Sequence, residues 1–170
     1  PVPDAFCITT EAYHDFLGAL DRLGSVTTQD ISGKELAGAI LSAPLPSELK
    51  AQVLEAYRIL HYRHGPDVKV AVRSSASVED LPGASFAGQY TSVLNVANEG
   101  DLLEAIRRCW ASASYPQVQA YQAWREPHDV QVQMAVIVQV MVPADFAGVL
   151  FTVDPLAGDE SQMVIEMTPG

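Results

Sequence analysis

Apolar residues in the first third of the chain recur at the three- and four-residue spacing of amphipathic helices. The first such series is Tyr13, Phe16, Leu17, Leu20 and Leu23. The threonines at 9–10 can cap the helix that this series predicts, and a short strand at about residues 5–8 precedes it. Ser32 and Glu35 form a capping-box pattern, which predicts a second helix ending near Pro44.

Two more series predict helices further along the chain. The third helix is predicted by Leu49, Val53, Ala56, Tyr57 and Leu60. Gly65-Pro66 closes it. Asp101 and Glu104 repeat the capping pattern ahead of a fourth helix. The apolar residues of that helix are Leu102, Ile106 and Trp110. A further helix is predicted at about residues 115–124, and Pro127 would end it.

Alternation with a period of two predicts strands in the second half of the chain. From Val130 to Val142 every even position is Val or Met, which gives one apolar face. The odd positions carry Gln131, Gln133, Ala135, Ile137, Gln139 and Met141. Two more strands are predicted at 148–153 and 163–167, joined by a turn. Helices followed by a helix-interrupted, mostly antiparallel sheet indicate an α+β fold.

The segment from Val70 to Val96 suggests chemistry. A strand delivers Arg73 and Ser74-Ser75 towards a glycine-containing loop, and guanidinium, hydroxyl and backbone N–H groups together can hold an anion such as phosphate. A hairpin whose arginine pairs with a surface carboxylate is the alternative. Similarly, Gln139 could orient a flat aromatic ligand between apolar walls, or simply lie on a half-exposed strand face.

Composition narrows the functional classes. At 170 residues, 48% apolar and 18% charged, the chain fits one globular domain. The net charge of −11 argues against nucleic-acid binding. There is neither an apolar run long enough for a membrane span nor a signal-peptide pattern at the start. Cys7 and Cys109 lack CxxC spacing, so we expect free thiols and a cytoplasmic protein.

Four segments in chain order carry a recognisable pattern. They are residues 1–10 (PVPDAFCITT), 72–96 (VRSSASVEDLPGASFAGQYTSVLNV), 138–142 (VQVMV) and 148–155 (GVLFTVDP). Together they resemble the N-terminal ATP-binding domain of phosphoenolpyruvate synthases, also called pyruvate, water dikinases. Rifampicin phosphotransferases share that domain. The resemblance covers nearly the whole chain and implies a partial ATP-grasp fold, with sublobes at about 1–66 (helical) and 67–170 (nucleotide-binding).

The resemblance also implies which residues contact ATP. They are Arg73, Gly88, Ser92, Gln139, Val140 and Met141. Arg73 would contact the phosphates and is the candidate catalytic residue. Gly88 would belong to a loop over the phosphates, and Ser92 would keep a hydroxyl where the family usually has threonine. Gln139 would meet the adenine, with the backbone of Val140 and Met141 reading its edge.

By the same resemblance, ATP with Mg²⁺ would phosphorylate a histidine on another domain, and that domain would pass the phosphoryl group to pyruvate. The family's GGKG segment would precede Pro1, its acidic metal-binding pattern would follow Gly170, and none of the four histidines here has the phosphohistidine setting. We therefore expect a fragment that is inactive alone, with metal ligands mostly outside it. Its partners would be ATP and the phosphohistidine and acceptor-binding domains, without nucleic acid or membrane.

Two other functions stay open at the level of sequence. One is the ATP-binding part of a rifampicin-type antibiotic phosphotransferase, which would differ only in its acceptor domain. The other is a non-catalytic ATP-grasp-like binding module, favoured if Pro1 is a natural start.

Overall fold

The computed structural model describes residues 2–22, 31–76, 90–115 and 133–169. Its helices are α1 (Thr10–Arg22), α2 (Gly33–Ser42), α3 (Ser47–His64) and α4 (Glu99–Ser112). Its strands are β1 (Ala5–Ile8), β2 (Val70–Ala76), β3 (Ser92–Val96), β4 (Met134–Val140), β5 (Phe146–Phe151) and β6 (Val164–Pro169). An antiparallel sheet has the order β1-β4-β2-β3, and β5 pairs with β6 in a separate antiparallel hairpin. The α+β prediction is confirmed.

The starts of the helices show where local sequence decided the structure. The capping box at α2 is confirmed, because Ser32 Oγ accepts from the Glu35 N–H while the Glu35 carboxylate accepts from the Ser32 N–H at 3.0 Å. The cap predicted at Asp101 is wrong. Asn98 caps α4 instead, since its Oδ1 accepts from the Asp101 N–H at 2.9 Å and makes Asp101 part of the first turn.

The predicted apolar series are confirmed where the structure describes them. Tyr13, Phe16 and Leu20 are buried on α1, and Val53, Tyr57 and Leu60 are buried on α3. Strands β5 and β6 start two residues and one residue from their predicted positions. Leu23 and residues 116–124 of the further predicted helix lie outside the described residues.

The core lies between the helices and one face of the four-stranded sheet. Val70, Val72, Val136 and Val138 have no exposed surface and pack in one cluster with the helices. Among the described residues, Trp110 of α4 is the largest fully buried side chain, with its ring centroid 5.0 Å from that of Phe16 and 5.6 Å from that of Tyr13. Burial of these large apolar groups is the main stabilising contribution to the fold.

A bulge in β3 sets which of its residues face the core. Val70 pairs with Val96 and Val72 with Val93, so β3 uses one residue more than β2 over this stretch. Asn95 takes up the extra residue at φ 59°, a left-handed conformation that asparagine tolerates better than most residues. Val93 and Val96 therefore both face the helices, while Ser92 faces the other way.

The sheet joins the two halves of the chain, because β1 pairs with β4 and residues from both halves share the core. The division into sublobes at about residue 66 stays a prediction. Both cysteines are free, with Cys7 exposed and Cys109 buried. In the part of the chain that the structure describes, no helix has the length and apolar character needed to cross a membrane.

Candidate functional site

Odd-numbered residues of β1, β2 and β4, with Ser92 of β3, line the sheet face that points away from the core. We call this the open face. Its residues are Ala5, Cys7, Ala71, Arg73, Ser75, Ser92, Ala135, Ile137 and Gln139. The alternation predicted for β4 is confirmed, since Met134, Val136 and Val138 are fully buried while Ala135, Ile137 and Gln139 are only half-buried. The open face is thus the part of the sheet available to a ligand.

The pairing register brings the predicted site residues onto adjacent rows of this face. Arg73 lies opposite Ser92 on one side and opposite Ile137 on the other. In the next row Gln139 lies opposite Ala71 and Ala5. Arg73 and Gln139 are therefore diagonal neighbours on antiparallel strands, about 7–8 Å apart. Arg73 and Gln139, which are far apart in the sequence, therefore lie close together on one surface.

Arg73 is available to bind an anion. Its side chain is exposed, and no carboxylate among the described residues lies within 4.0 Å of its guanidinium. Within that part of the chain, the alternative of a hairpin arginine paired with a surface carboxylate is not realised. The guanidinium offers five donors in a planar fork.

The end of β4 shows which backbone groups remain for a ligand. The Val140 N–H donates to the Asp4 carbonyl and the Met141 N–H donates to the Lys69 carbonyl, both at 2.9 Å. Because both N–H groups already donate within the protein, a ligand that hydrogen-bonds to the backbone of Val140 and Met141 would bind their carbonyl oxygens. Gln139, half-buried beside them, adds one amide donor group and one acceptor.

The serines after Arg73 have different roles. Ser74 donates its hydroxyl to the Thr91 carbonyl at 3.0 Å, so it is committed within the protein. Ser75 lies opposite Ala135 on the open face and is half-buried. The hydroxyl expected to face an anion in this segment is therefore that of Ser75, joined by Ser92 from β3. Gly88 lies outside the described residues.

Comparison with known proteins identifies the domain. The whole chain, residues 1–170, matches the family described as pyruvate phosphate dikinase, AMP/ATP-binding domain. The chain belongs to this family. The predicted resemblance is thereby confirmed, and the family is one whose domain binds AMP or ATP.

Similar curated proteins come from both groups named by the resemblance. The phosphoenolpyruvate synthase of Helicobacter pylori is 38% identical over 96% of this chain, and that of Aeropyrum pernix is 37% identical over 98%. The rifampicin phosphotransferase of a Streptomyces species is 37% identical over 97%. This AMP/ATP-binding domain spans 22%, 22% and 20% of the length of these three relatives, respectively.

The described residues do not provide the ligands of a magnesium site. Over the described ranges, no group of three or more His, Cys, Asp or Glu side chains could hold a metal ion. Asp154 lies in the turn between β5 and β6, where its Oδ1 accepts from the N–H groups of Leu156 at 2.8 Å and Ala157 at 3.2 Å. We assign no step of the chemistry to a metal on these residues.

The histidines of the AMP/ATP-binding domain lie away from the open face where the structure describes them. His61 and His64 belong to α3, where His61 packs edge-on against Tyr57 and His64 lies 3.0 Å from an Asp4 carboxylate oxygen. His14 is an exposed residue of α1. His128 lies outside the described residues.

Sequence reasoning missed a group of polar contacts behind the open face. Thr91, the residue before Ser92, is bound by side chains of Ser74, Cys109 and Ser112. Ser112 has no exposed surface. The available signal was the run WASAS at 110–114, which places small hydroxyl residues at the end of the helix, next to its buried Trp110. Only Trp110 of that run entered the helix prediction.

A groove on the helical side shares no residue with the open face. It has a cavity volume of about 1000 Å³ and lies between the 44–47 connection, α3 and α4. Two of its three cationic side chains are already engaged, since Arg58 lies 3.2 Å from Glu99 and Arg107 donates to the Ala43 carbonyl at 3.1 Å. The groove therefore offers less free positive charge than its residue types suggest.

Proposed function

We propose that this domain binds ATP across the open face and is the ATP-binding part of a phosphoenolpyruvate synthase-like dikinase. The observation that carries the proposal is that Arg73, Ser92 and Gln139 share one sheet face, with Arg73 exposed and without a carboxylate partner among the described residues. Membership of the AMP/ATP-binding family supports ATP as the ligand in this proposal.

Each residue has a role that suits its chemistry. Arg73 would bind the phosphates through two parallel N–H donors, and Ser92, directly opposite it, would add a hydroxyl donor. Gln139 would hydrogen-bond the adenine, while the carbonyl groups of Val140 and Met141 would accept from its amino group. Gly88 is proposed as part of the phosphate-covering loop on the resemblance alone.

Phosphoryl transfer depends mainly on positioning and on neutralising charge, so a domain that fixes ATP supplies much of what the reaction needs. In the proposed reaction a histidine on another domain accepts the β-phosphoryl group of ATP with AMP as the leaving group, and water accepts the γ-phosphoryl group, which is released as phosphate. The phosphohistidine then transfers its phosphoryl group to the enol oxygen of pyruvate. Mg²⁺ bound to ATP would neutralise phosphate charge, with its ligands outside the described residues. The histidine-bearing and acceptor-binding domains are the proposed partners, and the cytoplasm is the proposed location.

A rifampicin-type phosphotransferase is the second candidate. The observation in its favour is that the named rifampicin phosphotransferase is as similar to this chain as the named synthases, at 37% against 37% and 38%. Relatives named for different acceptors share this domain equally. We therefore propose that the acceptor is selected outside these residues.

The first test is Arg73→Ala in the complete natural protein that contains this sequence. Loss of a charge-assisted hydrogen bond should weaken ATP binding by about 1.5–3 kcal/mol, which is about 10- to 150-fold. The measurement is the ATP dissociation constant by calorimetry. Because Arg73 is exposed, the free energy of unfolding should change little.

Two control variants sharpen the test. Arg108→Ala removes the same charge from an exposed position on α4, in the helical layer, and should leave ATP affinity near that of the unsubstituted protein. Arg73→Lys keeps the charge but loses the fork, so it should fall between Arg73→Ala and the unsubstituted protein. Equal ATP affinities for Arg73→Ala and Arg108→Ala would remove Arg73 from the ATP site and overturn the proposal.

A further inference from the structure

The main chain of Thr91 is held by side chains from two different elements. Its carbonyl accepts from Ser74 Oγ at 3.0 Å, from Cys109 Sγ at 3.3 Å and from the Ser74 N–H at 3.4 Å. Its N–H donates to Ser112 Oγ at 3.3 Å. Both hydrogen-bonding groups of this residue are thus satisfied at the point where β3 begins.

Ser112 and Cys109 connect this residue to the core. Ser112 Oγ also donates to the Cys109 carbonyl at 2.6 Å, so Ser112 bridges α4 and Thr91. The side chains of Ser112 and Cys109 are both fully buried. Burial raises the pKa of the Cys109 thiol to about 12, so it stays protonated and able to donate at neutral pH. Hydrogen bonds between buried groups must keep good geometry, because leaving a buried donor or acceptor unpaired costs free energy.

The position of Thr91 decides where two open-face residues stand. Thr91 directly precedes Ser92, and Ser92 is the partner of Arg73. Ser74, which binds Thr91, directly follows Arg73. The contacts therefore fix the register between β2 and β3 from the core side, one residue beyond the Arg73–Ser92 pair. The bulge at Asn95 fixes the same pairing from its other end.

We propose that Ser112, with Cys109 and Ser74, is a positioning residue for ATP binding: it holds Thr91 so that Ser92 and Arg73 face the ligand together. This inference rests on the proposed function, because it assigns a role to residues behind the same site. None of the three side chains contacts ATP in the proposal. Their effect on the ligand passes through the placement of Ser92 and Arg73.

Ser114 provides a matched control within two residues. It is also buried at the end of α4, at 4% exposure, but it hydrogen-bonds to Tyr13 in the helical layer. Ser112→Ala and Ser114→Ala therefore remove the same atom from similar surroundings. Only the first of these substitutions removes a contact to Thr91.

The direct measurement is amide hydrogen exchange at Thr91. Ser112→Ala should speed exchange of the Thr91 N–H by about tenfold or more, because its acceptor is lost, whereas Ser114→Ala should leave that exchange near its original rate. An unchanged Thr91 exchange rate in Ser112→Ala would overturn the proposal. This measurement needs no ATP, so it tests the contact independently of function.

The functional measurement is the ATP dissociation constant of the complete natural protein. Ser112→Ala should weaken binding by about fivefold and Ser114→Ala by less than twofold. In an Arg73→Ala background the Ser112→Ala effect should shrink, since there is less for Ser112 to position. Equal effects of the two serine substitutions, or full additivity with Arg73→Ala, would show a general structural role and contradict positioning. If Arg73→Ala itself leaves ATP affinity unchanged, the proposed function fails and the positioning role fails with it.

Discussion

The two faces of the four-stranded sheet are made from alternate residues of the same strands, but their chemistry differs. On the core face, Val72 and Val138 have no exposed surface and contact the helices. On the open face, Arg73, which follows Val72, is exposed, and Gln139, which follows Val138, is half-buried. A single step along a strand thus separates a buried residue that holds the fold together from one on the open face.

The comparison indicates how a binding surface can vary without loss of the fold. Apolar burial on the core face supplies the stability, so the open face can carry an arginine and an amide at little cost. Polar groups on the core face are different, because a buried polar group left unpaired is costly. The contacts of Thr91 with Ser112 and Cys109 meet that requirement and at the same time support the open face.

The largest effect is expected on the free energy of unfolding, when substitutions at two adjacent residues of β4 are compared. Val138→Gln should lower the free energy of unfolding by about 3 kcal/mol, because it removes buried apolar contacts and places an amide without designed partners in the core. Ile137→Gln makes a similar change on the half-buried open face and should cost about 1 kcal/mol or less. Denaturant unfolding measures both. Equal losses would contradict the distinction between the two faces.

A smaller effect concerns ligand selection on the open face. Gln139→Leu keeps the size of the side chain but removes its donor and acceptor, so the preference for ATP over GTP should fall by about 1 kcal/mol, or about fivefold. Gln133→Leu is the matched control, since Gln133 is an exposed residue just before the same strand. Competition binding with both nucleotides provides the measurement. An unaltered ATP-to-GTP ratio in Gln139→Leu would count against contact with adenine.

The contrast between faces could be predicted from sequence, because it follows from period-two alternation in β4 alone. The helices were predicted for a similar reason: the spacing of residues such as Phe16 and Leu20 depends only on helix geometry. The cap of α4 was misplaced, since Asn98 and Asp101 both offer capping side chains and only the actual start of the helix distinguishes them.

What the sequence did not indicate depends on contacts between distant residues. Ser74 looked like an anion ligand because it follows Arg73, yet it faces the core side and binds Thr91, 17 residues later. The role of Ser112 requires α4 to pack across β2 and β3, which no local pattern encodes. The bulge at Asn95 similarly becomes visible only from the pairing of Val93 and Val96.

The smallest expected effect tests how the edge of the sheet is joined to the helices. Asp4 precedes β1, and its carboxylate lies 3.0 Å from His64 Nε2 and 3.6 Å from an Arg63 nitrogen, both at the end of α3. The hydrogen bond with His64, and the positive charges of His64 and Arg63, hold the pKa of Asp4 below its ordinary value of 3.8. The native state therefore favours the ionised carboxylate more than the unfolded state does. The resulting stabilisation is present above about pH 4 and is lost as the pH falls through the lowered pKa.

Asp4→Asn should remove that part of the pH dependence, giving a slightly lower free energy of unfolding at pH 6 and a shallower decline between about pH 4 and pH 2. The effect should be small, because the group is exposed and the pair is screened by salt. Asp67→Asn is the control, as Asp67 is exposed and forms no ion pair with the described residues. Identical pH profiles for the two variants would mean that the Asp4 contacts do not help to hold β1 against the helical layer. The main-chain bond from Val140 to the Asp4 carbonyl would then be what fixes this edge of the open face.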